Sequence, residues 1–444
     1  MFTRKLMIVL LLLTMLSTGL AVAWLQSPRP AQAETDYAEL QLFTDVLSIV
    51  RRSYVEEVSV KDLVYGAIEG MLASLDPHSG FMPPDVYKEL KIDTRGEFGG
   101  LGIEITLKDD MLTIVAPIED TPAFHAGLAT GDRILKIGEQ FTKGMEIMEA
   151  VRLMRGAPGT EVTIVVMREG FEQPKTFTLK REVIKIKSIK SKTLEDGFGY
   201  VRITQFQERT ASDLELVLDG LRKENGSSLK GLVLDLRNNP GGLLDQAVDV
   251  ADLFLDKGLI VYTKGREADA QMEFSAKSSG TEPGYPIVVL INGGSASAAE
   301  IVAGALQDHG RAVILGTQSF GKGSVQTILP LGDDSGLRLT TARYYTPKGT
   351  SIQAKGITPD IEVKPAEVKE AGDRDHFREK DLRNHFDSEQ AEKPAKPVKP
   401  AKPEEKSDSN LQTEGDQRSD YQLMRALDLL KGWQIFQGLN RPAA

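Results

Sequence analysis

The stretch Ile287–Glu300 reads IVVLINGGSASAAE. Its consecutive apolar residues, Ile287–Ile291, have the pattern of a strand buried on both faces, as in a parallel sheet flanked by helices. Asn292, Gly293 and Gly294 break the run. Apolar spacing resumes over Ala296–Asp308, where Ile301, Val302, Ala305 and Leu306 mark one side of a predicted helix. The same alternation recurs on either side. Phe198–Phe206 (FGYVRITQF) predicts a strand, and Thr210–Glu224 a helix that buries Leu214, Val217, Leu218 and Leu221. Gly231–Leu236 (GLVLDL) predicts a second buried strand, followed by the loop Arg237–Gly242 and a helix over Leu243–Leu255. Ala312–Leu315 predicts the next strand. Strand, helix and strand in succession specify an α/β core. Thr327–Leu331 and Leu337–Tyr345 predict two further strands around a turn at Gly332, Asp333 and Asp334.

Two serines, Ser295 and Ser297, lie among small residues where the buried strand gives way to the helix. Small neighbours leave room for a carbonyl group to approach the backbone. Downstream, Phe320–Gln326 reads FGKGSVQ and sets Lys322 between glycines. A hydroxyl and an amine of this kind suggest a serine nucleophile with a lysine base. The spacing alone does not separate Ser295 from Ser297. A lysine acting as a base must be neutral, so its reference pKa of about 10.4 has to be lowered by burial or a nearby cation. Phe320 and Val325 are expected to supply apolar surroundings. Gln326 is suited to orient the amine by a hydrogen bond, because an amide adds no negative charge that would hold the proton in place. An oxyanion beside Ser297 would meet free backbone N–H groups at the helix start, with Ala298 a candidate donor. A second donor is expected from the Pro240-Gly241-Gly242 turn, where glycines permit close approach. Asp235 and Glu300 are expected to be structural, Glu300 because a carboxylate is favourable near a helix start.

These two segments resemble the active-site motifs of the carboxyl-terminal processing proteases, the tail-specific serine peptidases. The resemblance implies that Ser297 is the nucleophile, Lys322 the general base and Gln326 its support. It implies Gly242, with Gly241 next to it, as the oxyanion glycine. Ala299 stands where many relatives carry a third serine, a departure that leaves the dyad untouched. The likeness runs from about Tyr37 to Val363. It implies a serine endopeptidase that acts through an acyl-enzyme on exported proteins with an apolar C-terminal tail. The rival reading is a tail-binding scaffold that kept a peptidase-like fold without catalysis.

Between Phe98 and Arg168 the texture changes. Gly99, Gly100, Leu101 and Gly102 open alternating apolar runs at Ile103 and Ile105, then at Leu112 and Ile114, which predict strands. Short helices are expected at Ala123–Leu128 and Ile147–Arg155, with Val162–Met167 as the closing strand and Thr176–Lys190 as a strand-rich connection. This order resembles a bacterial PDZ domain, with Gly99–Gly102 matching its carboxylate-binding loop. Glycines there can expose N–H groups to an anionic chain terminus, and the peptide can add itself as an edge strand. An inserted binding unit of this kind is also placed to gate the catalytic site.

The chain begins with Arg4 and Lys5, then a largely apolar run from Leu6 to Leu25, then Ala31-Gln32-Ala33. This order predicts a secretory signal peptide. Left uncleaved, the run is long enough to anchor the protein in a membrane. The expected place is the periplasm, or the outer face of an inner membrane. Cys 0 excludes a disulfide framework, a thiol nucleophile and a cysteine metal site. The five His are widely spaced, so no metal and no cofactor are expected. A net charge of −10 offers no basic field for nucleic acid.

The expected plan is therefore α/β and multidomain. It has a signal peptide or anchor (1–33), an N-terminal helical region (34–90), a PDZ domain (91–170) and a serine peptidase core (171–365). A C-terminal extension (366–388), a disordered Pro- and Lys-rich linker (389–415) and a C-terminal helix (416–444) follow. Helices are predicted at Tyr37–Val50 and around Leu63–Leu72, the latter ended by Asp76 and Pro77. The family resemblance implies that this N-terminal region also contributes contacts between copies of the chain. The last helix, Tyr421–Ile435, either docks on the core or pairs with a partner.

Overall fold

The computed structural model describes residues 31–195, 197–226, 228–266, 271–366 and 420–439. Nearly all of the leader (1–33) and of the extension (366–388), and the whole linker (389–415), lie outside the described residues. The chain divides into two compact units after Phe81.

The first unit holds α1 (Ala31–Ser53) and α2 (Val60–Ala73). Arg51 and Arg52 close α1, where cations suit the negative end of a helix. Ser59 caps α2, its hydroxyl accepting the Asp62 N–H. The predicted stop at Asp76 is a turn in which the carboxylate accepts the N–H groups of His78 (2.8 Å) and Ser79 (2.9 Å). His78 is thus part of that turn. Leu40, Leu42, Phe43 and Val46 follow helical spacing but are exposed. No helix among the described residues is long and apolar enough to cross a membrane.

The second unit opens with α3 (Pro84–Arg95), a helix that sequence pattern did not separate from its predecessors. It stops at Gly96, whose φ of 72° is the left-handed cap that glycine adopts without a steric penalty. Next come β1 (Glu97–Gly100), β2 (Ile103–Lys108), β3 (Met111–Pro117), β4 (Arg133–Ile137), α4 (Ile147–Met154), β5 (Glu161–Met167), β6 (Lys175–Lys180) and β7 (Glu182–Lys185). Strands β2 to β6 pair in chain order, and β1 pairs antiparallel with β7. Leu101, Leu112, Ile114, Ile134, Ile164 and Val166 form the core between them. The sheet does not close at Met167. Strand β6 pairs with β5 from Glu161↔Lys180 to Val166↔Lys175, because Phe177 and Leu179 turn toward the same core while Thr176 and Thr178 face solvent.

Further along come β8 (Ile189–Glu195), β9 (Phe198–Ile203), α5 (Thr210–Glu224), β10 (Gly231–Asp235), α6 (Leu244–Asp252), β11 (Leu259–Gly265), β12 (Glu273–Ser275), β13 (Ile287–Ile291), α7 (Ala298–Asp308), β14 (Val313–Gly316), β15 (Ser324–Pro330), β16 (Gly336–Tyr345), β17 (Ile361–Glu362) and α8 (Tyr421–Leu439). The main sheet has the order β8-β9-β10-β13-β14-β17. It is parallel from β9 onward, with β8 antiparallel at its edge. Side chains alternate across it. Val201, Ile203, Leu232, Leu234, Val289 and Ile291 join the core with α5, α6 and α7. Phe198, Tyr200, Val233, Val288, Leu290 and Leu315 face the other way, where Leu423, Ala426 and Leu430 of α8 cover them. The C-terminal helix therefore docks on its own core. A second sheet joins β11 to β12 and β16, and β15 to β16. Sequence pattern missed β11 and β12, whose short runs are interrupted by Thr263, Lys264 and Glu273.

Leu430 is 1% exposed and packs over Gly231, so truncation leaves a void against the sheet. Leu430→Ala is expected to cost about 2–5 kcal/mol, seen as a lower unfolding midpoint in urea or on heating.

Candidate active site

Ser297 sits immediately before α7, with φ 54° and ψ −114°. A non-glycine residue there is strained, at a cost on the order of 1–3 kcal/mol, and needs surroundings that hold it. The holding group is Glu300, in the first turn of α7. Its Oε2 accepts the Ser297 N–H at 2.8 Å. The strained strand-to-helix turn has the form of a nucleophile elbow, which lifts a side chain away from the backbone. Ser295, the rival, points the other way. It is fully buried, its hydroxyl donates to the Leu236 carbonyl at 2.8 Å, and its oxygen accepts the Asn292 N–H at 3.0 Å.

Glu300 also holds the lysine segment. The Gly321 N–H (2.6 Å) and the Ser319 hydroxyl (2.5 Å) donate to Oε1, and the Lys322 N–H (2.9 Å) donates to Oε2. Phe320 N–H donates to the Ser295 carbonyl at 3.0 Å, a second tie between the two motifs. One buried carboxylate thus fixes the backbone of Ser297 against that of Lys322. The side chains of Ser297 and Lys322 are not hydrogen-bonded to each other.

Lys322 is half-buried. Burial pushes its amine below the ordinary lysine range, and the nearby positive charge of Arg338 pushes in the same direction. Val325 is buried as expected, but Phe320 is 63% exposed, so its ring does not enclose the amine in the way the sequence suggested. Gln326 lies on β15. Its amide nitrogen donates to Thr340 Oγ1 (2.9 Å) and Ser324 Oγ (3.2 Å). Its Oε1 is buried and meets no donor, an acceptor held open.

The loop after β10 closes over Ser297. Gly241 lies so near that a Cβ there would come within 2.8 Å of Ser297 Cβ and 3.0 Å of the Ala298 nitrogen. Gly242, at φ 144°, would bring a Cβ to 2.1 Å from the Phe206 carbonyl oxygen. Phe206 N–H donates to the Gly241 carbonyl, and the Leu243 N–H donates to the Phe206 carbonyl, both at 2.9 Å. This parallel bridge leaves the Gly242 N–H facing away from Phe206. Gly241 N–H is already taken by Asn239 Oδ1 at 2.9 Å. Among the described residues, the N–H groups of Gly242 and Ala298 meet no acceptor. Two asparagines pin the loop to the turn before Ser297. Asn238 N–H donates to Asn292 Oδ1, and Asn292 Nδ2 donates to Asn238 Oδ1, each at 2.9 Å.

On the inserted unit, Leu101 and Gly102 present N–H groups that likewise meet no acceptor among the described residues. Beside them a small cavity lies between Ile103 on β2 and Val151 and Met154 on α4. Arg155 lines it too, stacked on Phe98 and paired with Glu89 of α3. No cluster of metal-ligating side chains occurs among the described residues.

The model of Peptidase family S41 matches residues 197–363, that of the PDZ domain residues 99–180, and that of the Activating protease CtpB N-terminal domain residues 17–86. Over 409 residues the chain is 47% identical to the carboxy-terminal-processing protease of Bartonella bacilliformis, covering 92% of each chain. The chain belongs to the carboxyl-terminal processing proteases. The protein of that name from Synechocystis sp. is 38% identical over 321 residues, 70% of this chain and 74% of the relative. A solved photosystem II D1 C-terminal processing protease is 32% identical and covers 74% of this chain and 94% of its own, with a TM-score of 0.43. Enzymes of this S41 family are serine-type peptidases that act on protein substrates.

What the sequence did not disclose in this protease is the reach of Glu300. A carboxylate in a first turn predicts only local capping, yet three of its four donors come from the loop at Ser319–Lys322. Glu300→Gln would set an amide NH2 against backbone N–H donors. It is expected to lower stability by about 1–3 kcal/mol and to raise proteolytic sensitivity around Ser319–Lys322.

Proposed function

We propose that this carboxyl-terminal processing protease cleaves through a Ser297–Lys322 dyad and an acyl-enzyme. The observation that carries the reading is the shared Glu300 anchor, which holds Ser297 in a strained elbow beside a lysine whose basicity is depressed. Lys322 Nζ takes the Ser297 proton as Oγ attacks the scissile carbonyl carbon. The oxyanion is received by the N–H groups of Ala298 and Gly242. The C–N bond then breaks, and the Lys322 proton passes to the leaving amine. Water attacks the acyl carbon as Lys322 takes its proton; the ester C–Oγ bond then breaks, the proton passes from Lys322 to Ser297 Oγ, and the carboxylic product leaves. Gln326 Oε1 accepts an N–H of the neutral amine and turns its lone pair toward Ser297. The dyad's own hydrogen bond forms with substrate in place, as catalytic hydrogen bonds commonly tighten only in the complex.

The inserted unit supports a substrate class, proteins with a nonpolar C-terminal tail. The N–H groups of Leu101 and Gly102 suit a terminal carboxylate, and the apolar cavity lined by Ile103, Val151 and Met154 suits nonpolar side chains just before it. Arg4, Lys5 and the apolar run after them, with a chain free of cysteine, support action outside the cytoplasm, in the periplasm or from an inner-membrane anchor. A non-catalytic scaffold would need neither a strained serine nor a depressed lysine.

Ser297→Ala is expected to bind a fluorescent apolar-tail peptide as the unmodified protein does and to lose turnover of an unstructured tailed substrate. Undiminished turnover would overturn the reading. Because Lys322 must be deprotonated, kcat/KM rises with pH, and its acid limb lies below the ordinary lysine value of 10.5. Removing the cation in Arg338→Gln lets Lys322 keep its proton to higher pH. The acid limb of kcat/KM is therefore expected to move upward and activity at neutral pH to fall, measured on one substrate across pH.

A further inference from the structure

Arg237 begins the loop that ends in Gly242. Its guanidinium is held from two directions. Asp235, fully buried at the end of β10, accepts from Nε (3.0 Å) and Nη2 (2.6 Å), and its Oδ1 also accepts the Arg237 N–H (2.9 Å). Tyr200 donates its hydroxyl to the other Asp235 oxygen at 2.8 Å. The second grip comes from far along the chain. Asp420, just before α8 and 183 residues away in sequence, takes Nη1 at 2.9 Å and Nη2 at 2.6 Å, a bidentate pair. Gln422 Oε1 adds a contact to Nη1 at 3.0 Å, and its own amide donates to the Val363 carbonyl. Burial alone would raise the Asp420 pKa, but the hydrogen bonds and charge of Arg237 more than offset it and hold the carboxyl below its ordinary range.

Asp235 lies two residues from Arg237 in β10, in register with Arg202 of β9 and Leu290 of β13, so the first grip ties the start of the loop to the sheet. Asp420 belongs to a helix docked on the sheet by separate apolar contacts, those of Leu423, Ala426 and Leu430. The second grip ties the loop's first residue to that helix, on the far side of the guanidinium from the sheet's own carboxylate. From there the loop passes through Asn238 and Asn239 to the glycines that lie over Ser297.

We propose that Asp420 is a positioning residue for catalysis, acting through Arg237 to fix the loop that presents the Gly242 N–H to the oxyanion. The C-terminal helix is thus a working part of the oxyanion hole and not only a cover for the sheet. This inference rests on the serine mechanism proposed above. A displaced donor weakens transition-state binding and leaves ground-state binding of the tail untouched.

The test uses the full chain and the variant Asp420→Asn, which keeps an oxygen to cap the Leu423 N–H but loses the charge. Its kcat on a chromogenic peptide is expected to fall about tenfold or more, with KM within about twofold. The affinity of a peptide boronate, which mimics the tetrahedral adduct, is expected to fall by the same factor. Binding of a noncleavable tail peptide is expected not to change. Leu430→Ala is the control for mere destabilisation, since it loosens α8 without touching Arg237. Assayed well below its unfolding midpoint, it is expected to keep kcat within about twofold. Unchanged kcat in Asp420→Asn, or an equal loss in Leu430→Ala, would overturn the proposal. Ser297→Ala run alongside separates the two readings. If it is inactive while Asp420→Asn is fully active, only the role of Asp420 falls. If Ser297→Ala still turns over, the serine mechanism falls and takes this inference with it.

Discussion

The site depends on one carboxylate with four donors. Glu300 has no exposure to solvent, and the donors to its two oxygens come from the residue three before it and from a segment 19 to 22 residues after it. A carboxylate is an acceptor only, so it can satisfy converging donors that an amide would partly oppose. Its position in the first turn of α7 adds the favourable field of the helix start. Since a buried negative charge is tolerated only where it is fully bonded, any shift of either loop would cost the arrangement heavily. The strained Ser297 backbone and the path of the Lys322 loop are therefore set together.

The glycine loop is held by a different device. Its backbone is pressed between Phe206 on one side and Ser297 on the other, with contacts that leave no volume for a side chain at Gly241 or Gly242. Hydrogen bonds from Asn239, Asn238 and Asn292 consume the polar groups on the inner side. What remains unspent is the Gly242 N–H, and beside it the N–H of Ala298 at a helix start that supplies no partner for it. The N–H groups next to them are taken, that of Gly241 by Asn239 and that of Ser297 by Glu300.

Much of this was legible in the chain itself. GLVLDL, but for Asp235, and IVVLI throughout are apolar because helices cover both faces of those strands, and the short turns after them marked the site. The choice between Ser295 and Ser297 was not legible from spacing. Burial is what sets the two serines apart, because Ser295 spends both of its hydrogen-bonding roles on the backbone. Phe320 misled for the converse reason, since an aromatic beside a lysine need not face it, and here the ring points to solvent. Glu300 and Asp420 were hidden because their partners are remote in sequence, and local pattern carries no trace of a contact made only when the sheet has formed. Strands β11 and β12 escaped because they are short, and their polar residues look like loop.

The main sheet has one face completed by α5, α6 and α7, all encoded beside its strands, and another completed by α8. Until Tyr421–Leu439 has been synthesised, Phe198, Tyr200, Val233, Val288, Leu290 and Leu315 lack their cover. Contacts of such long sequence separation form late and leave apolar surface exposed in the meantime. A growing chain thus carries an unfinished sheet until α8 has been made.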